Sequence, residues 1–228
     1  VRTALYSWLY ARKNNGKFHL RIDDTDTTRS TEEYKNSIIL ALKQLGLNYD
    51  DEITYQSNRF DHYVDKIEQL LNDDMAYYDK VEVNEKTKET DLSVQFENRL
   101  NKKGYVIRFR NQKENSITIN DSVHGEIIFD PKVFFDVVIL RSSGVPTYNL
   151  TSVVDDIDLG ITHLIRGDDH LSNLPVQVNL FESFKAKVPS FSHLPMIHGV
   201  DGKRLSKRHG AVDINHFLNE GYRVDAIL

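Results

Sequence analysis

The chain has 228 residues, of which 39% are hydrophobic and 28% are charged, and its formal net charge is −5. This composition is typical of a soluble globular protein. No apolar run approaches the ~18 residues of a membrane span. The absence of cysteine excludes disulfides and thiolate metal sites and is compatible with the cytosol. The net charge argues against general coating of nucleic acid, although a local basic patch could bind phosphates.

A helix is predicted at the very start of the chain. The apolar side chains of residues 4–9 recur at helical spacing, and Asn-Asn-Gly at 14–16 is typical of a helix end. Neither an initiator Met nor an N-cap residue precedes this helix, and residues 221–228 resemble a helix opening that is cut short. We therefore expect the chain to be a fragment of a larger protein.

A strand and two further helices are predicted next. Residues 17–22 alternate apolar and polar side chains, which favours a strand. Ser30 and Glu33 have the spacing of a capping box, and Ser57 is a candidate cap for the following helix. The expected apolar stripes of these helices are Tyr34, Ile38, Leu42 and Leu45 in the first, and Phe60, Val64, Ile67 and Leu71 in the second. The order helix, strand, helix, helix suits half of an α/β layer fold.

Residues 76–145 have a different character and predict a β-rich insertion. Strand-like segments lie at 104–110, 116–120, 125–130 and 136–141, and Asn120-Asp121 is a candidate hairpin turn. The α/β pattern returns afterwards, with a helix predicted at 173–184. We therefore expect three segments: a first half at 1–75, an insertion at 76–145 and a second half at 146–228.

A cationic loop at residues 198–210 is the first candidate for chemistry. Its cationic side chains are Lys203, Arg204, Lys207 and Arg208, and the loop has glycines at 199, 202 and 210. Glycine permits close backbone approach to a ligand, and lysine is a flexible point charge suited to phosphate. The alternative is an ordinary solvated surface loop.

Two acidic segments are the other candidates. The sequence RIDDTD at 21–26 places three carboxylates after a predicted strand, where they could hold an amino group or a metal ion, or could simply cap a turn. Arg166 also ends a strand-like run and lies among aspartates. It could bind a ligand carboxylate in a bidentate manner or form a structural salt bridge. The spacings of His193, His198 and His209 match no common zinc pattern.

Four segments, RIDDTD, PTYNLTSVVDD, HLIRGDDH and DGKRLSKRHG, occur in that order. Together they resemble the catalytic region of bacterial glutamyl-tRNA synthetases, which are class I aminoacyl-tRNA synthetases. The likeness runs from about residue 1 to residue 228. It implies an α/β fold, namely a Rossmann-like catalytic domain with an inserted α+β domain that contacts the tRNA acceptor stem. The first helix resembles the one that follows the family's His-Ile-Gly-His signature, so we expect that signature and the first strand to be missing.

The resemblance implies an ATP site and an amino-acid site. Residues 204–208 occupy the place of the family's Lys-Met-Ser-Lys-Ser loop. Lys207 matches the lysine of that loop that supports the ATP phosphates, so the resemblance implies that Lys207 is the catalytic residue. Further ATP contacts are expected from Arg204, which replaces a lysine, and from Ser206 and Asp169. The residues that match glutamate-binding positions are Asp23 for the amino group, Tyr148, and Arg166 for the side-chain carboxylate. Asp23 is shorter than the glutamate of most relatives.

The insertion is expected to touch tRNA. Plausible phosphate contacts are Lys102, Lys103, Arg108 and Arg110, although a solvated strand face would carry the same charges. Many relatives have a cysteine-based zinc site in this region, and with no cysteine we predict no zinc. ATP with Mg²⁺ is the expected substrate complex.

The function implied by the resemblance is ATP-dependent ligation of L-glutamate to tRNA through a glutamyl-adenylate. The expected protein is a cytoplasmic monomer without a membrane partner, and the isolated 228 residues are expected to be inactive. The alternatives are a glutaminyl-type or glutamyl-queuosine-type paralogue and a non-catalytic RNA-binding module derived from a synthetase.

Overall fold

The computed structural model describes residues 1–25, 30–81, 95–111, 115–199, 202 and 214–227, without the side chains of 215 and 216. The α-helices in these ranges are α1 (Arg2–Lys13), α2 (Glu32–Gln44), α3 (Phe60–Asn72), α4 (Tyr148–Asp158), α5 (Leu174–Ser183), α6 (Ile214–Asn219) and α7 (Val224–Ile227). The strands are β1 (Arg21–Ile22), β2 (Thr54–Tyr55), β3 (Ala76–Lys80), β4 (Tyr105–Phe109), β5 (Ile117–Asp121), β6 (Gly125–Phe129), β7 (Val137–Leu140), β8 (His163–Gly167) and β9 (Ser190–Leu194). Short 3₁₀ turns cover Gln56–Arg59, Pro131–Val133 and Asp168–Asn173.

The described strands form three sheets. Strands β1 and β2 make a parallel pair, and β3, β4 and β7 form an antiparallel sheet in that order. The third sheet has the order β6-β5-β9-β8 and is mixed, because β8 and β9 run parallel while β5 and β6 form a hairpin. Parallel strands next to helices confirm the α/β class that the sequence pattern predicts.

The largest hydrophobic core joins α3, α4 and α5 to the β3–β4–β7 sheet. Helix α3 buries Tyr63, Ile67 and Leu70 completely, and the sheet contributes Phe109 and Ile139. Each large apolar side chain that is fully buried stabilises the fold by roughly 1.5–3 kcal/mol. This core therefore holds α4 in place, and α4 carries several polar residues of the candidate site.

The helix α2 begins one residue later than predicted. Thr31, not Ser30, is the N-cap, and its Oγ1 accepts a hydrogen bond of 3.4 Å from the backbone N–H of Tyr34. The predicted stripe is wrong in its first half, because Tyr34 is 55% exposed and Ile38 is 46% exposed. The second half of the stripe, Leu42 and Leu45, is buried as expected.

The prediction that Ser57 caps α3 is also wrong. Ser57 lies in the 3₁₀ turn, and its hydroxyl donates to Asp24 instead, while α3 begins at Phe60. The predicted stripe of α3 is largely confirmed, although Leu70 rather than Leu71 is fully buried. The strand predicted at 17–22 shortens to two residues.

The strands predicted after residue 100 are present, but the hairpin turn lies further along. Asp121 still pairs with Gly125 across the β5–β6 ladder, so the turn consists of residues 122–124 rather than Asn120-Asp121. Strand β5 also pairs with β9, through Asp121 and Phe191. The β-rich region thus shares a sheet with the segment after 146, and the three-segment division stays a prediction.

Two glycines with similar backbone conformations provide a matched test of packing. Gly144 and Gly125 have φ angles of +82° and +74°. A Cβ at Gly144 would lie 1.9 Å from the carbonyl oxygen of Phe96, whereas none of the described atoms lies within 4 Å of a Cβ at Gly125. We expect Gly144→Ala to lower the free energy of unfolding by about 3–5 kcal/mol, and Gly125→Ala by only about 1–2 kcal/mol. Urea denaturation of both variants measures the difference, and equal losses would contradict the steric argument.

Candidate functional site

A charged pair lies at the end of β1. The Nε of Arg21 donates to Oδ1 of Asp23 at 2.7 Å, and Nη1 donates to Oδ1 of Asp156 at 2.8 Å. The Asp23 side chain nevertheless remains 40% exposed. Arg21 therefore connects the end of β1 to helix α4 and orients an accessible carboxylate.

Asp24, the next residue, has a structural role. It is buried and accepts hydrogen bonds from the backbone N–H and the hydroxyl of Ser57, both at 2.8 Å, and its carboxylate lies 2.7 Å from Nζ of Lys35. Burial acts to raise the pKa of Asp24, but the bonds from Lys35 and Ser57 outweigh it and lower the pKa. Of the acidic segment, Asp24 fits the turn-capping alternative and Asp23 stays open to a ligand. Asp26 lies outside the described residues.

The first acid of the Asp155-Asp156 pair on α4 is also structural. Asp155 is fully buried and accepts hydrogen bonds of 2.8 Å from Tyr63, Gln56 and Arg59. Burial, reinforced by the Asp155 carboxylate, raises the pKa of Tyr63, so the phenol stays a hydrogen-bond donor. Tyr63 belongs to α3, and Gln56 and Arg59 belong to the 3₁₀ turn that precedes α3. The network therefore fixes α4 against both of these elements.

Arg166, on β8, is held by two neutral acceptors. Its Nε donates to Nε2 of His193 at 3.0 Å, and its Nη2 donates to Oε1 of Gln177 at 2.7 Å. Within the part of the chain that the structure describes, no carboxylate lies close enough to Arg166 for an ion pair. The salt-bridge alternative is therefore not observed there. Burial lowers the pKa of Arg166, while electrostatic attraction from Tyr148 and Asp156 opposes that shift.

The three residues predicted to bind an amino acid are linked through this region. Tyr148 is the first residue of α4, and its hydroxyl lies 3.1 Å from Nδ1 of His170. Tyr148 and Asp156 both interact electrostatically with Arg166, and Asp156 pairs with Arg21, which orients Asp23. The exposed carboxylate of Asp23 is thus linked to the partly buried guanidinium of Arg166 through Arg21 and Asp156.

A groove of about 820 Å³ opens beside this cluster. Residues 16–21 form one wall and residues 159–165 the other, and α1 contributes a further side. The side chains of Arg21, Asp23 and Asp156 also line it. The groove therefore exposes Arg21, Asp23 and Asp156, whereas Tyr148 and Arg166 do not line it.

Three of the four predicted ATP contacts lie outside the described residues. They are Lys207, Arg204 and Ser206. Asp169 is described and packs against Gly167, where a Cβ would lie 2.5 Å from Oδ1 of Asp169. A side chain at Gly167 would therefore displace that carboxylate.

The four basic side chains of the β-rich region fall into two groups. Arg108 is engaged by Asp79 at 2.6 Å and by the backbone oxygen of Asp136, and Arg110 lies over the ring of Tyr77 at 4.5 Å. Lys102 and Lys103 are exposed. The ammonium of Lys102 also lies over an aromatic ring, that of Tyr105, at 4.3 Å. Exposure therefore favours Lys103 most as a contact for an external phosphate.

The sequence interpretation missed the residues that hold Arg166. The sequence pattern suggested His193 only as a metal ligand and Asp121 only as a turn residue, and it gave no role to Gln177. The alternating pattern of β9 places Phe191 and His193 on the same face, and a polar residue in that position of a buried strand was the available signal. Among the described residues there is no group of three or more His, Asp or Glu side chains that could hold a metal ion.

Comparisons with known proteins agree over the whole chain. The profile of a family described as "tRNA synthetases class I (E and Q), catalytic domain" matches residues 1–228. A glutamate–tRNA ligase of Francisella tularensis subsp. novicida is 44% identical over 242 residues, which cover 100% of this chain and 52% of the relative. Glutamate–tRNA ligase 1 of Alkalilimnicola ehrlichii is also 44% identical, with 100% and 51% covered.

Solved structures show the same relationship. The crystal structure of a glutamate tRNA ligase from Elizabethkingia meningosepticum in complex with its amino acid has a TM-score of 0.77 and 30% identity, and the match covers 92% of this chain and 49% of that one. Glutamate-tRNA synthetase from Elizabethkingia anophelis has a TM-score of 0.77 and 31% identity, with the same coverage. The chain thus spans about half the length of the relatives that it matches. None of the described helices is long and apolar enough to cross a membrane.

The structural role of Asp24 has a pH-dependent consequence. Asp24→Asn should lower the free energy of unfolding by about 1–3 kcal/mol at neutral pH, because Lys35 loses a buried anionic partner. Since folding lowers the pKa of Asp24 from 3.8, its contribution is complete above pH 3.8 and is lost as the pH falls from there through the folded-state pKa. Urea denaturation at pH values above and below 3.8 should therefore show the deficit of the variant shrinking in acid.

Glu52→Gln is the control for this experiment. Glu52 is an exposed carboxylate in the loop before β2, and its neutralisation should change stability by less than about 0.5 kcal/mol. A deficit of Asp24→Asn that stays constant with pH would show that the carboxylate charge is not what stabilises the turn.

Proposed function

The chain belongs to the catalytic-domain family of class I tRNA synthetases for glutamate and glutamine, and from this membership we propose that the full-length protein containing it ligates L-glutamate to tRNA. The reaction has two steps. The α-carboxylate of glutamate attacks the α-phosphorus of ATP, which expels pyrophosphate and leaves a glutamyl-adenylate. A terminal ribose hydroxyl of tRNA then attacks the acyl carbon, and AMP leaves.

The state of Arg166 is the observation that carries the choice of glutamate. The guanidinium is partly buried, its two described hydrogen-bond acceptors are neutral, and none of the described carboxylates forms an ion pair with it. A ligand carboxylate would supply the missing anion and could accept two parallel hydrogen bonds. Glutamine would leave the guanidinium unpaired, at a cost of about 2–5 kcal/mol.

Asp23 is suited to the other end of the substrate. Its carboxylate is exposed, and Arg21 fixes its orientation from one side. A glutamate ammonium group would pair with it, and Tyr148 would contact the substrate between the two charged residues. The amino-acid complex of the Elizabethkingia meningosepticum relative supports an amino-acid site in this family.

The ATP site is proposed from the resemblance of the cationic loop. Lys207 would stabilise the charge that develops on the phosphates as pyrophosphate departs, with Arg204, Ser206 and Asp169 as further ATP contacts. Mg²⁺ bound to nucleotides is held mainly by phosphate oxygens and water. The described residues offer it no three-ligand group, so no step is assigned to the metal.

The β-rich segment at 76–145 is proposed to contact the tRNA acceptor stem, between catalytic segments at 1–75 and 146–228. Lys103 is the better candidate for a phosphate contact, because it is exposed, whereas Arg108 and Arg110 pair with carboxylates of the protein and Lys102 lies over the ring of Tyr105. We also propose that the full-length protein is a cytoplasmic monomer without zinc. The matches to glutamate–tRNA ligases favour this function over a paralogue that modifies a tRNA base and over a non-catalytic RNA-binding module.

Removal of the Arg166 guanidinium tests the substrate assignment. In the full-length protein, Arg166→Ala should raise the KM for glutamate by about two orders of magnitude or more, because the substrate carboxylate loses its cation. The KM for ATP should change little. Arg99→Ala, which removes an exposed arginine paired with Asp65 and Glu68, is the control and should leave both constants unchanged. An unchanged KM for glutamate in Arg166→Ala would refute the assignment.

Removal of the Lys207 ammonium tests the ATP loop. Lys207→Ala should slow ATP–pyrophosphate exchange, measured with glutamate and tRNA present, by about 10²–10³-fold, because charge on the departing pyrophosphate is less well stabilised. The control is Lys43→Ala, at an exposed position near the end of α2. Near-normal exchange in Lys207→Ala would remove that residue from the mechanism.

A further inference from the structure

A buried chain of hydrogen bonds extends from Arg166 into the β-rich segment. Nε of Arg166 donates to Nε2 of His193, and Nδ1 of His193 lies 2.7 Å from Oδ2 of Asp121. The side chains of His193 and Asp121 are completely buried. Residues from three neighbouring strands, β8, β9 and β5, are therefore joined in one line that ends at the guanidinium.

The contact with Arg166 determines the protonation state of His193. The Nε of arginine always carries a hydrogen, so it can only donate, and Nε2 of His193 must accept. The single proton of the neutral ring then resides on Nδ1 and is donated to Asp121. A doubly protonated His193 would direct an N–H at the N–H of Arg166, and this hydrogen bond would be lost.

Asp121 is itself immobilised by the turn between β5 and β6. Its Oδ1 accepts hydrogen bonds from the backbone N–H groups of Val123 and His124, at 2.9 and 3.0 Å. The backbone N–H of His193 donates to Oδ2 at 3.0 Å. The carboxylate therefore has a fixed position, from which it fixes the imidazole.

The second acceptor of Arg166 is oriented in the same way. Gln177 accepts from Nη2 of Arg166, and its own amide nitrogen donates to Oγ of Ser152 at 3.1 Å and to Oδ1 of Asn149 at 3.4 Å. The side-chain oxygen of Gln177 must then face Arg166. The guanidinium is thus fixed at two points without direct neutralisation of its charge.

We propose that His193 and Asp121 are positioning residues that aim the Arg166 guanidinium at the substrate carboxylate, and that His193 must be neutral for this. The inference rests on the proposed function, in which Arg166 binds the glutamate side chain. A carboxylate in the place of His193 would orient Arg166 equally well, but it would compete with the substrate for its charge. The imidazole of His193 is held by Asp121 and in turn orients Arg166. It also separates the negative charge of Asp121 from the guanidinium by the width of the ring.

Glutamate recognition should consequently weaken in mild acid. The charged or titratable groups that act on His193 are Asp121 of β5, Arg166 of β8 and His124 of the β5–β6 turn. Burial lowers the pKa of His193 from 6.5, assisted by Arg166 and His124, although Asp121 opposes the shift. The ring is therefore neutral at pH 7 and gains a proton only at lower pH, where Arg166 loses its acceptor.

Two isosteric variants of the full-length protein separate the two bonds of the ring. In His193→Gln the side-chain oxygen can take the place of Nε2 and still accept from Arg166. In His193→Asn the amide nitrogen can take the place of Nδ1 and still donate to Asp121, but the bond to Arg166 is lost. We expect His193→Asn to raise the KM for glutamate by about tenfold to a hundredfold, because Arg166 loses its acceptor. His193→Gln keeps that acceptor but loses the anchor on Asp121, so its KM should rise by a smaller factor of about threefold to tenfold. The KM for ATP should be unchanged in both variants.

The pH profile is the readout that a merely structural role would not produce. The wild-type kcat/KM for glutamate should fall on the acid side with the titration of one group, more steeply than kcat/KM for ATP. Neither Gln nor Asn titrates, so both variants should lack this decline. The proposal would be overturned if the two variants raised the KM for glutamate equally, or if they raised the KM for ATP as much as that for glutamate. It would also be overturned if the acid decline of kcat/KM for glutamate persisted in both variants.

A measurement on the wild-type protein covers the case in which a variant does not fold. The ¹⁵N chemical shifts of His193 should show a proton on Nδ1 and an unprotonated Nε2 at neutral pH. The opposite tautomer would overturn the positioning role even if Arg166 binds glutamate. Wild-type protein without glutamate-dependent pyrophosphate exchange would instead refute the proposed function, so the two failures are distinguishable.

Discussion

Three arginines lie against helix α4, and the way their charges are balanced organises this part of the structure. A buried cation without a partner is costly, so each guanidinium must find acceptors inside the fold. Arg59 is neutralised by Asp155 and Asp158, and Arg21 by Asp23 and Asp156. Arg166 differs, because its described hydrogen bonds go to an imidazole and an amide. The same helix therefore supplies the aspartates that neutralise two arginines and hold the fold, and it faces a third arginine that remains positive toward a ligand.

The predictions that succeeded came from local patterns with a direct physical cause. Apolar spacing identified α1 and most of the buried face of α3, and strand-like sequence segments identified β4 to β7. The roles that the family motifs predict for Asp23 and Arg166 stay predictions, although both residues are linked to Asp156, Asp23 through Arg21 and Arg166 by electrostatic attraction. These signals need no knowledge of which segments meet in three dimensions.

The predictions that failed depended on tertiary partners. Ser57 has a cap-forming side chain, but Asp24 is buried beside it, and the need of that carboxylate for donors outweighs helix capping. Tyr34 and Ile38 follow helical spacing, yet the core reaches only the second half of α2. The roles of Gln177, His193 and Asp121 were inaccessible for the same reason, because long sequence separations divide them and only the packed strands bring them together.

The position of Asp121 bears on how the β-rich segment relates to the rest of the protein. A segment that only contacted an external partner would need no side chain near the proposed amino-acid site. Strand β5 instead pairs with β9 at Asp121 and Phe191, and Asp121 bonds to His193 directly beyond that pair. A hydrogen bond between buried, fully packed groups transmits small displacements with little loss, because neither partner has room to adjust. If the segment binds the acceptor stem, a movement of β5 would change the aim of Arg166, and tRNA contact and glutamate recognition would be coupled through a single imidazole.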